Sequence, residues 1–274
     1  MTLFNRTLHR KRRERIAETF DDVAFLKAEI AEQLADRLLD IDRSFPLGLE
    51  LGCHTGQTAQ ALPKGKIGQL IQSDFAHSMA QDAVIDEEFI PFADQSLDVI
   101  LSNLSLHWVN DLPGTLIQCR RALKEDGLLM VAMPGPRTLQ ELREAMMQVA
   151  TETGKAAPRI APFVEVRDAG ALLQRAGFAL PVVDTEFLHL TYRNFPTLLR
   201  ELKMMGETNA LTEQFKGMTT ARYWQAVEKA YVKQDGLYPV TVEIVFITAW
   251  TPHESQQQPL RRGSGKVSLK EVLG

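Results

Sequence analysis

The segment Leu47-Gly48-Leu49-Glu50-Leu51-Gly52-Cys53-His54-Thr55-Gly56 decides the fold class of this chain. An apolar run ends at an acidic residue and a glycine-containing turn, and residues 57–62 are suited to the start of a helix. A strand that leads through a glycine-rich turn into a helix N-terminus is how α/β proteins hold nucleotide-like cofactors. Glycine lets the backbone approach the ligand, and the first helical N–H groups face it. The segment therefore predicts a cofactor site.

Strand and helix patterns alternate on both sides of this segment. We expect strands at 47–51, 69–74, 83–85, 97–102, 127–133, 179–187 and 240–250, and helices at 4–43, 112–123, 138–153 and 166–176. This alternation predicts a mostly parallel sheet covered by helices on both faces. We divide the chain into an N-terminal helical lid (1–43), a main domain (44–250) with a helical cap insertion at about 192–238, and a polar C-terminal tail (251–274).

The composition argues against several classes of protein. The chain has 274 residues, of which 45% are hydrophobic, and a net charge of −4. That charge gives no basic field for nucleic acid. No apolar run approaches the roughly 20 residues that span a membrane, and the N-terminus lacks the apolar core of a signal peptide. Two cysteines fit a reducing compartment, and no metal-binding spacing is present. We expect a cytoplasmic protein without a metal.

Two cofactor classes share a strand, glycine loop and helix. The dinucleotide motif G-x-G-x-x-G would need glycines at positions 52, 54 and 57, but the chain has Gly52, His54 and Gln57 there. The spacing acidic-x-Gly-x-x-x-Gly is met by Glu50, Gly52 and Gly56. That spacing is typical of class I S-adenosylmethionine-dependent methyltransferases.

Three further features lie where a methyltransferase fold would place them. Asp74 closes the second strand, where a carboxylate can accept hydrogen bonds from both ribose hydroxyls. Residues 86–92, Asp-Glu-Glu-Phe-Ile-Pro-Phe, resemble the segment with which many of these enzymes hold the adenine edge. Residues 102–108, Ser-Asn-Leu-Ser-Leu-His-Trp, follow the fourth strand, where the cofactor's methionine end meets the substrate.

Residues 86–92, 102–111 and Glu125-Asp126-Gly127 together resemble the family of NADH dehydrogenase (complex I) assembly factor 5. The malonyl-acyl-carrier-protein O-methyltransferases of biotin synthesis are similar in the core. The likeness to assembly factor 5 also covers residues 4–12, Met205-Gly206-Glu207-Thr208-Asn209, and the tail from 253 to 268. It therefore spans nearly the whole chain.

This resemblance implies a seven-stranded class I methyltransferase sheet that binds S-adenosylmethionine. Carried over position by position, the implied cofactor-binding residues are Glu50, Gly52, His54, Gly56, Asp74, Asp86, Glu87 and Asn103. The sequence departs from the family pattern at His54, where most members have glycine.

The resemblance leaves the activity divided. The leading hypothesis is an S-adenosylmethionine-dependent methyltransferase-like protein linked to complex I assembly. The mitochondrial member of the family hydroxylates an arginine of a complex I subunit, so a protein-arginine hydroxylase and a non-catalytic assembly factor are alternatives. Methyl transfer to malonyl-acyl carrier protein is a further alternative.

A general base and a partner surface are the remaining hypotheses. His107 is a candidate base because imidazole titrates near neutrality, although a histidine beside Trp108 is more often a packed residue. Residues 6–15 carry six basic side chains. They are either a solvated helix end or a surface for a protein substrate or an acyl-carrier protein.

Overall fold

One sheet of seven strands, in the order β3-β2-β1-β4-β5-β7-β6, organises the computed structural model, which describes residues 2–154, 159–214 and 219–257. The strands are β1 (Phe45–Leu51), β2 (Ile67–Asp74), β3 (Ala83–Val84), β4 (Leu97–Asn103), β5 (Leu123–Pro134), β6 (Ala179–Tyr192) and β7 (Tyr238–Trp250). The α-helices are α1 (Arg6–Ile16), α2 (Phe25–Leu39), α3 (Gln57–Ala61), α4 (Leu112–Ala122), α5 (Gln140–Thr153), α6 (Val166–Arg175), α7 (Phe195–Met204) and α8 (Ala221–Ala230).

The first five strands pair in parallel, whereas β7 runs antiparallel to both β5 and β6. Parallel pairing requires crossover connections, and the helices supply them. The order of the first five strands changes direction at β1, which has β2 on one side and β4 on the other. The predicted α/β fold with a seven-stranded, mostly parallel sheet is therefore confirmed.

Two apolar layers cover the sheet. On one face, α4 and α6 contribute Leu116, Cys119 and Leu173 to a core with strand residues such as Leu49. On the other face α2, α5, α7 and α8 pack against the sheet. Because β4 is buried on both faces, all seven of its residues are buried, and polar residues do not alternate with apolar ones along it.

The N-terminal region, expected to be helical over residues 4–43, consists of three successive helices. A 3₁₀ helix from Ala17 to Val23 separates α1 from α2. Phe20 and Val23 are buried in this turn, so burial of these apolar side chains fixes the break. Before this break, basic side chains of α1 contact Asp74 at the end of β2 and Glu87 in the segment that follows β3.

The segment between β6 and β7 contains α7 and α8, which bury Phe195, Leu198 and Val227. Its flanking strands extend further into the expected cap than the sequence indicated, because β6 continues to Tyr192 in antiparallel pairing with Tyr238. Residues 251–257 follow β7, and the rest of the tail lies outside the described residues. Within the described ranges, no helix is both long and apolar enough to cross a membrane.

Candidate functional site

The carboxyl ends of β1, β2 and β4 bring together Glu50, Asp74 and Asn103, each fully buried. Parallel strands end at the same edge of a sheet, and β1 lies where the strand order reverses, which is the usual ligand crevice of such folds. The glycine loop joins this edge through two hydrogen bonds, because the N–H groups of Gly52 and Cys53 both donate to the Ser73 carbonyl at 2.9 Å.

Gly52 is required by space as well as by backbone conformation. Its φ of +76° is in the left-handed region, and a Cβ there would lie 2.0 Å from the Ser105 hydroxyl oxygen. Gly56 has φ of +89° and precedes α3. The positive φ angles of Gly52 and Gly56 both follow from the tight turn that the sequence predicted at this point.

His54 also adopts a left-handed conformation, with φ of +51°. Its Nδ1 lies 2.6 Å from Lys27 Nζ, 2.8 Å from Arg13 Nη2 and 3.0 Å from the Gly52 carbonyl oxygen. The imidazole ring also packs against the Phe20 ring, with 4.8 Å between the two ring centroids. Burial, followed by the neighbouring charges of Arg13 and Lys27, lowers the pKa of His54 well below its usual value. The imidazole is therefore neutral, and it places a buried side chain within the glycine loop.

Lys27 is a buried cation that the sequence analysis did not identify. Its ammonium group donates to the carbonyls of Gly52 at 2.8 Å and Asn103 at 2.7 Å, so it ties the glycine loop to the end of β4. Burial lowers its pKa to about 8, although the charge of Glu50 opposes this shift. The sequence did contain a signal that this cation is buried, because Lys27 lies on the same face of α2 as the apolar residues Ile30 and Leu34.

Glu50 carries an unpaired carboxylate. Burial raises its pKa, while the Lys27 charge and the nearby Thr58 hydroxyl act in the opposite direction. Neither oxygen of this carboxylate has a hydrogen bond of ordinary geometry. Buried polar atoms are nearly always satisfied, so this group is suited to a donor from a bound molecule.

Arginines of α1 engage the other acidic residues of the predicted site. Arg13 forms an ion pair with Asp74, and both side chains are excluded from solvent. Arg6 pairs with Asp86 at 2.5 Å and with Glu87. These contacts use the carboxylates that the resemblance assigns to the cofactor. Sequence reasoning missed them because the partners lie more than 60 residues away.

The Phe75 ring lies beneath the same arginines. The guanidinium carbons of Arg6, Arg10 and Arg13 lie 4.4, 5.5 and 5.2 Å from its centroid. Such cation–π contacts add to the attraction between α1 and the loop after β2. The basic residues expected to face a partner are therefore partly directed inward, and Arg12 also donates to the carbonyls of residues 208 and 209.

The last two predicted site residues have separate surroundings. The Asn103 side-chain amide donates to the Lys27 carbonyl at 2.9 Å and to the Thr58 hydroxyl at 3.3 Å, so it holds α2 and α3 against the sheet. The Nε2 atom of His107 lies 3.3 Å from Oε2 of Glu207, and the same carboxylate accepts a hydrogen bond from the Trp108 indole N–H. His107 thus belongs to the wall that faces the segment after α7.

A cavity of about 430 Å³ adjoins the glycine loop on the side of His54 and Leu104. It extends between α5, α7 and the face of β7, and most of its lining side chains are apolar. Asp74 and Asp86 do not line it. The acidic residues beneath α1 therefore lie beside this cavity and outside its lining.

The chemical groups beneath α1 are suited to S-adenosylmethionine, which carries ammonium and hydroxyl hydrogen-bond donors. Glu50 offers an unpaired carboxylate, Asp74 offers a carboxylate at the end of the neighbouring strand, and Gly52 keeps the loop free of side-chain bulk. The Arg13 guanidinium holds Asp74 in the structure described here. Among the described residues, no group of three or more His, Cys, Asp or Glu side chains is arranged to hold a metal ion.

Comparison with known proteins agrees with a methyltransferase fold. A family model described as a methyltransferase domain matches residues 49–131. The human mitochondrial arginine-hydroxylase NDUFAF5 is 38% identical over 99% of this chain and 84% of its own length. The malonyl-[acyl-carrier protein] O-methyltransferase of Laribacter hongkongensis is 34% identical over 91% of each protein. The solved YcgJ protein of Bacillus subtilis shares the fold at 14% identity, with a TM-score of 0.55 over 80% of this chain and 98% of that one.

Proposed function

The chain belongs to the family of the arginine-hydroxylase NDUFAF5, within the class I methyltransferase superfamily, and from this premise we propose that it is an S-adenosylmethionine-dependent methyltransferase that acts in complex I assembly. One observation carries the proposal. Glu50 and Asp74 are buried carboxylates at the ends of adjacent parallel strands, on either side of the Gly52–Gly56 loop. Glu50 lacks a hydrogen-bond partner, which the ammonium group of a ligand would supply, and Asp74 is now paired with Arg13, a partner that ribose hydroxyls would replace.

Each part of the crevice has a proposed task. Asp74 would hold the ribose hydroxyls, and Glu50 with the loop backbone would hold the methionine portion. Asp86 and Glu87 would line the adenine side, and Asn103 would keep the strand ends in register. The cofactor supplies an activated methyl group. The chain's own contribution is to align the acceptor, which accounts for much of catalysis when proximity and in-line geometry suffice.

Cofactor binding at Asp74 would require the Arg13 side chain to withdraw. Asp74 Oδ2 accepts from Arg13 and from the His54 N–H at 3.2 Å, and its Oδ1 accepts from the Ala76 N–H at 2.9 Å. Three of the roughly four acceptor positions of this carboxylate are therefore occupied, so two ribose hydrogen bonds would have to replace at least one existing contact. We propose that α1 moves away from Phe75 when the cofactor enters.

Calorimetric titration with S-adenosylmethionine and S-adenosylhomocysteine tests the cofactor. We expect micromolar binding by the wild type and a loss of about 1–3 kcal/mol in Asp74→Ala, the range for charge-assisted hydrogen bonds. Asp94→Ala is the matched control, because that carboxylate is exposed and pairs with Arg121. Unchanged affinity in a folded Asp74→Ala protein would refute the ribose assignment.

His54→Gly completes this titration because it places at this position the glycine that the family resemblance implies. Binding by the wild type would support the proposed cofactor despite the imidazole. Binding by His54→Gly alone would indicate that this member has lost methyl transfer and acts as a non-catalytic assembly factor. Binding by neither protein would overturn the cofactor proposal.

A second candidate is hydroxylation of a protein arginine. The observation that favours it is 38% identity, over 99% of this chain, to a relative named as an arginine-hydroxylase. Hydroxylation inserts an oxygen atom, so an oxidant and an electron donor would have to be supplied by another molecule. Mass spectrometry of complex I subunits from cells with and without the protein would reveal an arginine that gains one oxygen.

Methyl transfer to malonyl-acyl carrier protein is the remaining enzymatic candidate, supported by the 34% identity to a protein of that name. The exposed basic residues of α1, such as Lys11 and Arg15, would suit an acidic carrier or a protein substrate. Radiolabel transfer from S-adenosylmethionine to malonyl-acyl carrier protein would favour this candidate over complex I assembly.

We also propose a cytoplasmic location. Two free, buried cysteines fit a reducing compartment. The human relative is described as mitochondrial, so cell fractionation with markers for both compartments is the appropriate test.

A further inference from the structure

The cavity beside the glycine loop has the properties of a binding site for an apolar molecule. Its volume of about 430 Å³ lies in the range of small-molecule sites, roughly 300–1,000 Å³. Protein interiors contain few voids larger than a water molecule, so a space of this size is not ordinary packing. Leu142 and Met146 of α5, Leu198, Leu199 and Leu202 of α7, and Ile244 of β7 lie along it.

The polar lining residues of the cavity differ in their access to solvent. Lys27 and His54 are buried and lie next to the loop that would hold the cofactor. Lys203 also lines the cavity, and its side chain is exposed to solvent. A ligand with a charged head at Lys203 could therefore keep that head in contact with water while the cavity encloses its apolar part.

The charges of the lining select between ligand classes. Lys27, Arg159 and Lys203 are cationic, and the single acidic lining residue among the described positions is Glu207. That carboxylate is already engaged by His107 and the Trp108 indole. A buried guanidinium needs a carboxylate partner, whereas an aliphatic chain needs none. The lining therefore disfavours an arginine side chain and favours a neutral or anionic apolar molecule.

We propose that this cavity binds a fatty acyl chain with a carboxylate head at Lys203. The chain would lie between α5, α7 and β7, where the apolar side chains enclose it. A role of this ligand as methyl acceptor or effector rests on the proposed function. Its binding to the cavity does not depend on the cofactor and can be measured without it.

Fluorescence titration of the full chain with cis-parinaric acid, a fluorescent fatty acid, tests the proposal. We expect saturable binding that decanoate reverses and that N-acetylarginine methylamide does not. Decanol, which lacks the carboxylate, should compete less well than decanoate. In Lys203→Gln that difference should disappear, whereas it should persist in Lys229→Gln, whose exposed side chain lies outside the cavity.

Met146 and Met147 provide a matched pair of variants. Met146 lines the cavity, whereas the next residue of the same helix is 63% exposed and does not. Met146→Trp should fill the space and weaken parinarate binding by about tenfold or more, equivalent to about 1.4 kcal/mol. Met147→Trp should bind as the wild type does.

Leu199→Phe serves as a second cavity-filling variant if Met146→Trp does not fold. Absence of parinarate binding by the wild type would overturn the proposal, as would unchanged binding in a folded cavity-filling variant. The cofactor titration is read separately. A protein that binds parinarate but not S-adenosylmethionine would refute only the proposed function, and the opposite result would refute only the acyl site.

Discussion

Replacement of Arg13 by alanine should destabilise the protein more than any other change in α1. Its guanidinium is 2% exposed and the paired Asp74 carboxylate is 0% exposed, so the variant leaves a buried carboxylate without its counter-ion. Loss of one partner from a buried ion pair costs about 3–5 kcal/mol. Asp74 keeps hydrogen bonds from the N–H groups of His54 and Ala76, so we expect the lower end, about 3 kcal/mol.

A double-mutant cycle separates the pair from ordinary packing. Asp74→Leu alone leaves the Arg13 charge buried, whereas Arg13→Met with Asp74→Leu removes both charges at similar volume. The double variant should therefore lose less stability than the sum of Arg13→Met and Asp74→Leu, with a coupling of about 2 kcal/mol. Urea unfolding followed by tryptophan fluorescence and by circular dichroism gives the four free energies, without cofactor present.

Arg10→Ala is the control on the same helix. Its side chain is 46% exposed and lies 3.7 Å from Asp86, so the loss should be about 0.5 kcal/mol or less. Equal destabilisation by Arg10→Ala and Arg13→Ala, or an additive cycle, would refute the view that the buried pair fixes α1 over the crevice.

Three further predictions follow from other residues. Burial lowers the folded-state pKa of Lys27 to about 8, below its unfolded value, so the unfolded chain binds more protons between these pKa values. Unfolding free energy relative to Lys27→Met should accordingly rise with pH from about 8 to 10.5, and a flat difference would contradict the pKa assignment. Burial raises the pKa of Cys53 and of Cys119 to about 12, so both thiols should react with a disulfide reagent only after denaturation, and rapid native labelling would show that burial is incomplete. Gly52→Ala should cost more stability than Gly236→Ala, because both have positive φ but only the first meets a neighbouring side chain, and equal losses would remove the steric argument.

The sheet could be predicted from the sequence because its signals are local. Each central strand is an apolar run bounded by turn residues, and β1 and β4 begin within two residues of the expected positions. The boundaries of β5 and β6 differ most, since β5 begins at Leu123 rather than 127 and β6 ends at Tyr192 rather than 187. The pairing of β4 with β5 shifts register between Leu97 and Val99. This shift accommodates within β5 the chain around Asp126, whose φ is +56°.

The contents of the crevice could be predicted only in part. Glycine spacing and the acidic strand ends are features of the local sequence, so the sequence indicated Glu50, Gly52 and Asp74. The pairing of Arg13 with Asp74 depends on the direction in which α1 returns, which the buried 3₁₀ turn determines and no local pattern encodes. Lys27 was recognisable in retrospect as a cation on the buried face of an amphipathic helix.

The hydrogen bonds that join the N-terminal segment to the chain after α7 determine when the site can form during synthesis. The Asn5 N–H donates to the Ala210 carbonyl at 2.7 Å, and the Thr212 N–H donates to the Leu3 carbonyl at 2.9 Å. These partners are separated by about 200 residues, which a ribosome adds in roughly 10 to 40 s. The arginine-rich segment leaves the ribosome before the chain after α7 and reaches its final place only once that chain has been made. Until then the crevice of the nascent protein stays uncovered, and a chaperone or ligand present during translation could reach it before α1 does.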